Sequence, residues 1–169
     1  MSNIDLVLLG LIKQKSQSAY DIKKNIEYRN IPRWVKISEQ SIYKKVLQLE
    51  SKEYIVSYKE KEGNMPDKAI YTITNKGNDY FNKLMNDISN SDVSLYLDFN
   101  VIITNLDLVD DEQKQILVSN KSKILELKEL LNERRSHRQH IHNIWKQMFK
   151  QQLALVETLE KWIIDLRIV

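Results

Sequence analysis

The most regular apolar pattern in the chain lies in residues 141–166, and it constrains the fold more than any other feature. Apolar side chains there alternate spacings of four and three residues, which indicates one long amphipathic helix. Phe149, Val156 and Ile163 add a second apolar row at sevens. A chain of 169 residues offers too little surface to cover both rows, so we expect a second copy to cover part of them. The first row consists of Ile141, Trp145, Met148, Gln152, Leu155, Leu159, Trp162 and Leu166.

A second helical segment precedes this one and begins at an acidic run, residues 110–112. Carboxylates favour the positive end of the helix dipole, so the run suits the first turn of a long helix. Residues 92–105 are apolar on most sides and carry no strand pattern that survives comparison with a helix. We therefore predict a C-terminal α-helical dimerisation and effector domain over residues 91–169. Its predicted dimerisation residues are Leu117, Ile124, Leu131, Trp145, Met148, Leu155, Leu159, Trp162 and Leu166.

The N-terminal half begins with three predicted helices. Residues 4–13 are mostly apolar and indicate a short helix, whose N-cap is Ser2 or Asn3. Ser18 and Asp21 have the spacing of a capping box that begins a second helix. The inner face of this second helix is predicted to carry Tyr20 or Ala19, with Ile22 and Ile26.

The third predicted helix begins at Ser38, whose hydroxyl can accept a hydrogen bond from the first turn. Its apolar residues recur at helical spacing and are expected to face the first two helices, with polar and basic residues on the opposite side. We place Trp34 between the second and third helices. The predicted buried residues of the third helix are Ile42, Val46, Leu47 and Leu49.

Two short alternating segments, 55–58 and 69–74, follow as strands on either side of a charged loop. Thr74 can cap a fourth helix. Three helices and then a hairpin is the order of a winged helix-turn-helix domain, in which the third helix enters the major groove of DNA. The sequence therefore predicts a mainly α protein, with this winged domain over residues 1–90. The inner face of the fourth helix is predicted to carry Tyr80, Phe81, Leu84, Met85 and Ile88.

The charge distribution favours nucleic acid as a partner of the N-terminal half only. Residues 1–90 contain 15 Lys and Arg against 11 Asp and Glu, whereas residues 91–169 contain 11 against 12. The acidic residues of the hairpin loop dilute its basic character, which leaves open a winged helix that docks on a partner protein instead. The residues predicted to contact double-stranded DNA are Lys36, Ser38, Gln40, Ser41, Tyr43, Lys44, Lys45, Lys61, Asn64 and Lys68.

Several motifs resemble the PadR family of bacterial transcriptional regulators, in its longer form with a separate helical C-terminal domain. The segments LLGLI at 8–12, YDI at 20–22 and SIY at 41–43 resemble its first three helices. YTITNKG at 71–77 resembles the exit from the wing, and LEKW at 159–162 is similar to the last helix. The resemblance implies a homodimer that binds a palindromic operator, commonly as a repressor. In some family members it also implies release by a small aromatic or phenolic effector.

Three positions depart from the family pattern. Ser18-Ala19 stands in place of His-Gly, and Lys44 replaces a proline. Glu53 stands where a glycine usually ends the third helix. Because a left-handed Glu would be strained by about 1 kcal/mol, we expect this helix to end by another route.

Two groups of residues allow more than one interpretation. Trp145 and Trp162 could stack on an aromatic effector, or they could be packing residues on an amphipathic helix. His137, His140 and His142 have a spacing that could hold a divalent metal, but arginines surround them. We therefore expect a solvated basic joint, with a weak anion site as the alternative, and no metal.

The sequence gives no support for an enzyme. It has no Cys, no Gly-rich phosphate loop and no HExxH motif, so we expect neither catalysis nor a cofactor. It also lacks an apolar run of membrane-spanning length and an N-terminal signal pattern. We therefore expect a cytoplasmic protein that does not enter a membrane.

Overall fold

Helices dominate the structure, a computed structural model that describes residues 2–61, 67–98, 100–118, 121–137 and 143–165. The side chains of residues 115–118, 121, 135–137 and 145 lie outside this description. The chain divides into two units, Met1–Ser94 and Leu95–Val169. The fold is mainly α with a small antiparallel sheet in the first unit, as the sequence predicts.

Side-chain caps begin the helices of the first unit. The Ser2 hydroxyl accepts a hydrogen bond from the backbone N–H of Asp5, and Ser18 forms a reciprocal capping box with Asp21. Ser38 begins the third helix and Thr74 the fourth. All four predicted caps are confirmed. The helices are α1 (Asn3–Gln14), α2 (Ala19–Tyr28), α3 (Glu39–Ser51) and α4 (Asn75–Ser89), with a 3-10 turn at Ile31–Arg33.

A three-stranded sheet closes one side of these helices. The predicted hairpin is present as β2 (Ile55–Glu60) and β3 (Lys68–Ile73). The third strand, β1 (Gln17–Ser18), pairs antiparallel with β3. This strand leaves no signal in the sequence, because two residues are too few for an alternating pattern. The order is β1-β3-β2.

Two side chains predicted to be buried, Leu47 and Met85, are exposed, and of the alternatives Tyr20 and Ala19 only Ala19 packs on the core. Tyr20 is 54% exposed, Leu47 60% and Met85 50%. Each lies about 100° or more around its helix from the buried stripe, because successive helical residues are rotated by that angle. Trp34 is 40% exposed, while its neighbours Val35 and Ile37 pack on the core. The core consists of Leu8, Leu9, Leu11, Ile12, Ile22, Ile26, Ile31, Ile42, Val46, Leu49, Ile55, Tyr71 and Leu84.

The end of α3 contradicts the sequence-based expectation. Glu53 is left-handed, with φ of 62°. Its N–H donates to the carbonyl of Glu50 at 2.8 Å, and the N–H of Tyr54 donates to that of Leu49 at 2.9 Å. These two bonds form a Schellman motif, which usually has glycine at this position. The helix therefore ends by the usual route, and surrounding contacts hold Glu53 in the strained conformation.

Within its described residues, the second unit contains helices and no strand. Its helices are α5 (Asn100–Ile103), α6 (Asp111–Val118), α7 (Lys121–His137) and α8 (Asn143–Asp165), with a 3-10 turn at Leu106–Leu108. Asp110 caps α6, since its Oδ1 accepts a hydrogen bond from the N–H of Gln113 at 2.8 Å. Among the described residues from 92 to 105, helix is present only at α5, and Tyr96 is 88% exposed although the segment is largely apolar.

The antiparallel packing of α7 on α8 uses the second apolar row of α8. Phe149 and Val156 are buried against Leu131 of α7, with Ile124 and Leu127 beside them. An ion pair of 2.5 Å between Lys128 and Glu160 also joins the two helices. The neighbouring row of α8 stays partly exposed: Ile144 is 65% exposed, Leu155 44% and Trp162 36%. Within the described residues, α7 thus covers only part of the wide apolar face.

Candidate nucleic-acid interface

The start of α3 is fixed by its own hydroxyl groups. The N–H of Ser38 donates to Oγ of Ser41 at 2.9 Å, and the N–H of Ser41 donates to Oγ of Ser38 at 3.2 Å. The Ser41 hydroxyl also donates to the carbonyl of Ser38 at 2.6 Å. Both predicted contact residues are therefore engaged in beginning the helix, and they set where the following side chains point.

An ion pair ties this first turn to α2. Nζ of Lys23 lies 2.6 Å from Oε1 of Glu39, and Glu27 lies farther away at 3.9 Å. The hydrogen bond to Glu39 raises the pKa of Lys23. The pair also neutralises the one acidic side chain in the first turn of α3, which reduces its repulsion of phosphate. Sequence reasoning missed it, because partners on different helices leave no spacing signal.

The outer face of α3 presents a short mixed row of polar and basic side chains. Gln40 and Lys44 are exposed, and Tyr43 lies between them with 39% exposure. A Gln amide can form two hydrogen bonds with an adenine edge, while Lys and Tyr commonly bind phosphate. Lys36, in the segment before the helix, is also exposed. Sequence reasoning missed Leu47, which adds an apolar surface to the same face.

Lys45 has a different environment from its neighbour Lys44. Its Nζ lies 3.1 Å from Oδ1 of Asp5, a buried side chain of α1. The ammonium group therefore points back into the domain instead of toward solvent. Lys45 is thus engaged with α1 and does not belong to the outer face of α3.

The predicted DNA-contact residues of the hairpin differ in their exposure to solvent. Lys61 is exposed at the end of β2, while Asn64 lies outside the described residues. Lys68 is half-buried and lines a polar cleft of about 710 Å³ together with Asp21 and Tyr58. The hydrogen bond from the Ser18 hydroxyl is the main cause that lowers the pKa of Asp21, and the charge of Lys68 adds to it.

The predicted dimerisation residues separate into three groups. Ile124 and Leu131 pack within the chain against α8, whereas Leu155 and Trp162 are exposed. Met148 and Leu159 are half-buried. The side chains of Leu117 and Trp145, and all of Leu166, lie outside the described residues.

The histidine cluster cannot be placed, since the His137 side chain, His140 and His142 lie outside the described residues. Among the residues that are described, no three His, Asp or Glu side chains come together in a way that could hold a metal. None of the described helices is long and apolar enough to cross a membrane.

Three helices, a small antiparallel sheet and a hairpin beyond the third helix define the first unit as a winged-helix domain. Residues 8–83, nearly all of this domain, match the sequence model of the transcriptional regulator PadR-like family. The winged-helix domain of this chain therefore belongs to the PadR-like family of transcriptional regulators, as its motifs indicate. The family is one of regulators and not a class of enzymes. A comparison with curated protein sequences gives no significant match.

Solved structures share the fold over nearly the whole chain. Bacillus subtilis PadR in complex with operator DNA has a TM-score of 0.78 at 15% identity and covers 98% of this chain and 96% of its own. The PadR-like regulator BC1756 from Bacillus cereus has a TM-score of 0.76 at 22% identity, and the match covers 96% of this chain and 94% of BC1756. The Vibrio cholerae virulence activator AphA has a TM-score of 0.78 at 13% identity, and the match covers 96% of this chain and 95% of AphA. At these identities the likeness defines the fold alone.

Proposed function

We propose that this chain is a transcriptional regulator that binds double-stranded DNA through the outer face of α3. The observation that carries the proposal is the placement of Gln40, Tyr43 and Lys44 on one exposed face of a helix whose start is fixed by a capping box. An amide and a cation on a rigid helix can combine base contact with phosphate contact. Lys36 and Lys61 lie in the segments flanking α3 and the wing, and they would add phosphate contacts.

The comparison with known structures agrees with this proposal. The B. subtilis PadR structure, which shares the fold, holds operator DNA. A winged helix needs no large change to bind a groove, because its third helix projects from the domain. We therefore expect the present chain to use the same element.

We further propose that the chain acts as a homodimer through the exposed row of α8, which contains Ile144, Leu155 and Trp162. Helix α7 covers the adjacent row, whereas this row is partly exposed in the described part of the chain. A second copy offers an identical row, and a two-fold axis makes the contact self-complementary. Such a dimer would bind a palindromic DNA site. Because a protein bound there could exclude RNA polymerase, we expect the chain to act as a repressor. We expect it to act in the cytoplasm.

The function is tested by selecting duplexes from a randomised DNA library with the purified full chain. We expect a recovered sequence with two-fold symmetry, bound at least about a thousandfold more tightly than a scrambled duplex. Recovery of no sequence at low salt would overturn the proposal.

A protein-interaction adaptor is the second candidate, and one observation favours it. Leu47 is 60% exposed on the same face as Tyr43, which gives α3 an apolar surface suited to a protein contact. A contact of this kind depends little on salt, whereas DNA binding depends on it steeply.

Release by a small aromatic or phenolic effector stays a prediction. It depends on Trp162, which is 36% exposed on α8. An exposed indole ring can stack on a planar ligand. Trp145, the other residue of this prediction, has a side chain outside the described set.

A further inference from the structure

The carboxylate of Asp5, the partner of Lys45, is buried beneath the proposed DNA-reading helix. Its side chain is 8% exposed. The Tyr80 hydroxyl donates to Oδ2 at 3.3 Å. Within the described part of the chain, Oδ1 accepts no hydrogen bond, so the Lys45 ammonium at 3.1 Å is its charge partner.

This arrangement joins three helices at one point. Asp5 belongs to α1, Lys45 to the middle of α3 and Tyr80 to α4. The ring of Tyr80 also stacks on Tyr54, with ring centroids 4.3 Å apart and planes 13° apart. Tyr54 in turn donates its N–H to the carbonyl of Leu49 at the end of α3. Helix α3 is thus held at its centre and at its end by groups on its neighbours.

A buried ion pair rarely adds net stability, since the loss of hydration offsets the attraction between the charges. In some proteins such a pair instead selects one packing arrangement among several of similar energy. The apolar contacts of α3, through Ile42, Val46 and Leu49, would tolerate a small rotation of the helix. The Lys45–Asp5 contact restricts that rotation, because a rotated Lys45 would leave the carboxylate uncompensated.

We propose that Asp5 and Lys45 are positioning residues for DNA recognition: their partly buried ion pair sets the rotation of α3 and so the direction of Gln40 and Lys44. The proposal rests on the DNA-binding function proposed above. It makes Lys44 and Lys45, adjacent in sequence, differ in role. Lys44 would contact the DNA, whereas Lys45 would act through the orientation of its helix.

The test uses the full chain, the duplex that the wild type selects and a scrambled duplex of equal length. The double variant Asp5→Leu/Lys45→Met replaces the pair by apolar side chains, so we expect a Tm equal to or above that of the wild type. Discrimination between the two duplexes should fall by about tenfold or more. The slope of log K against log salt should stay unchanged. The matched control Lys44→Met removes one phosphate contact from each of the two chains on the duplex, so it should reduce that slope by about 1.8 and leave discrimination intact.

Unchanged discrimination in the double variant would overturn the proposal, as would a loss of slope equal to that of Lys44→Met. If circular dichroism shows that the double variant does not fold, Asp5→Asn provides the second test. This variant keeps the shape of the side chain and removes its charge. It too should discriminate less between the two duplexes, while the slope of log K against log salt stays unchanged. Unchanged discrimination would overturn the proposal. A wild type that selects no duplex would instead overturn the proposed function itself.

Discussion

Nζ of Lys76, in the first turn of α4, lies 2.9 Å from Oε2 of Glu53, the left-handed residue that ends α3. The Thr74 hydroxyl donates to the backbone carbonyl of the same Glu53 at 2.8 Å. The hydrogen bond from Lys76 lowers the pKa of the Glu53 carboxyl. Both contacts join the end of α3, the proposed reading helix, to the start of α4.

Two substitutions of Glu53 distinguish the destabilising strain of its left-handed backbone from the stabilising contact of its side chain with Lys76. Glu53→Ala keeps the left-handed strain and loses the Lys76 contact, so we expect a lower Tm than that of the wild type. Glu53→Gly loses the same contact but removes the strain, so it should melt roughly 2–4 °C above Glu53→Ala. Thermal unfolding followed by circular dichroism measures the difference, and equal Tm values would mean that position 53 carries no strain.

Lys44→Ala should weaken binding to every duplex by a similar factor. Because the variant removes one phosphate contact from each of the two bound chains, the slope of log K against log salt should decrease by about 1.8. Gln40→Ala is the matched comparison on the same face, and it should instead reduce discrimination at one base position, at a cost of about 1–3 kcal/mol. Fluorescence anisotropy titrations at several salt concentrations measure both effects. If neither variant changes the affinity for the selected duplex, α3 does not face the DNA.

Leu155→Glu should separate the chains of the proposed dimer. The side chain lies on the exposed row of α8, so a buried charge there would raise the dimer Kd by at least about thirtyfold, a cost of about 2 kcal/mol. Ala154→Glu, one exposed residue earlier and about 100° around the helix, is the control and should remain dimeric. Sedimentation velocity at micromolar concentration distinguishes the two outcomes. A wild type that sediments as a monomer would refute the dimer.

The capping box of α2 should make part of the stability depend on pH. The Ser18 hydroxyl lowers the pKa of Asp21 below its ordinary value of 3.8. A carboxyl with a lowered folded pKa stabilises the fold above its unfolded pKa, and this contribution is lost as pH falls through the folded pKa. Asp21→Asn should therefore lower Tm at neutral pH, with a smaller difference from the wild type below pH 3.8. Asp92→Asn, at an exposed non-helical position, is the control and should show no such trend.

The effector hypothesis predicts that a phenolic acid quenches the tryptophan fluorescence of the full chain. The quenching should saturate and should be reduced in Trp162→Phe, because this ring is exposed on α8. Trp34→Phe, in the winged domain, is the control and should leave the saturable quenching in place. A flat response across a broad set of phenolic compounds would exclude such a sensor.

Local signals made the winged domain predictable. Hydroxyl caps at Ser18, Ser38 and Thr74 each act within a few residues, so the sequence contains the whole signal. Glu53 could not be predicted, because the contacts that hold it come from Thr74 and Lys76 on another element.

The site was predictable only in outline, for the same reason. The exposed face of α3 follows from helical spacing, which places Gln40 and Lys44 correctly in solvent. The pairing of Lys45 with Asp5 spans forty residues of sequence and left no pattern. In the C-terminal unit, periodicity found both apolar rows of α8 but could not tell which row packs inside the chain.

The most direct test of the central claim is the salt dependence of binding between the wild-type chain and its selected duplex. If α3 and the wing of two copies contact six or more phosphates, affinity should fall by about a thousandfold or more between 50 and 200 mM salt, with two chains bound per duplex. An affinity that stays within about a factor of three over the same range, or no binding at the lower salt, would contradict a DNA-binding role for this face.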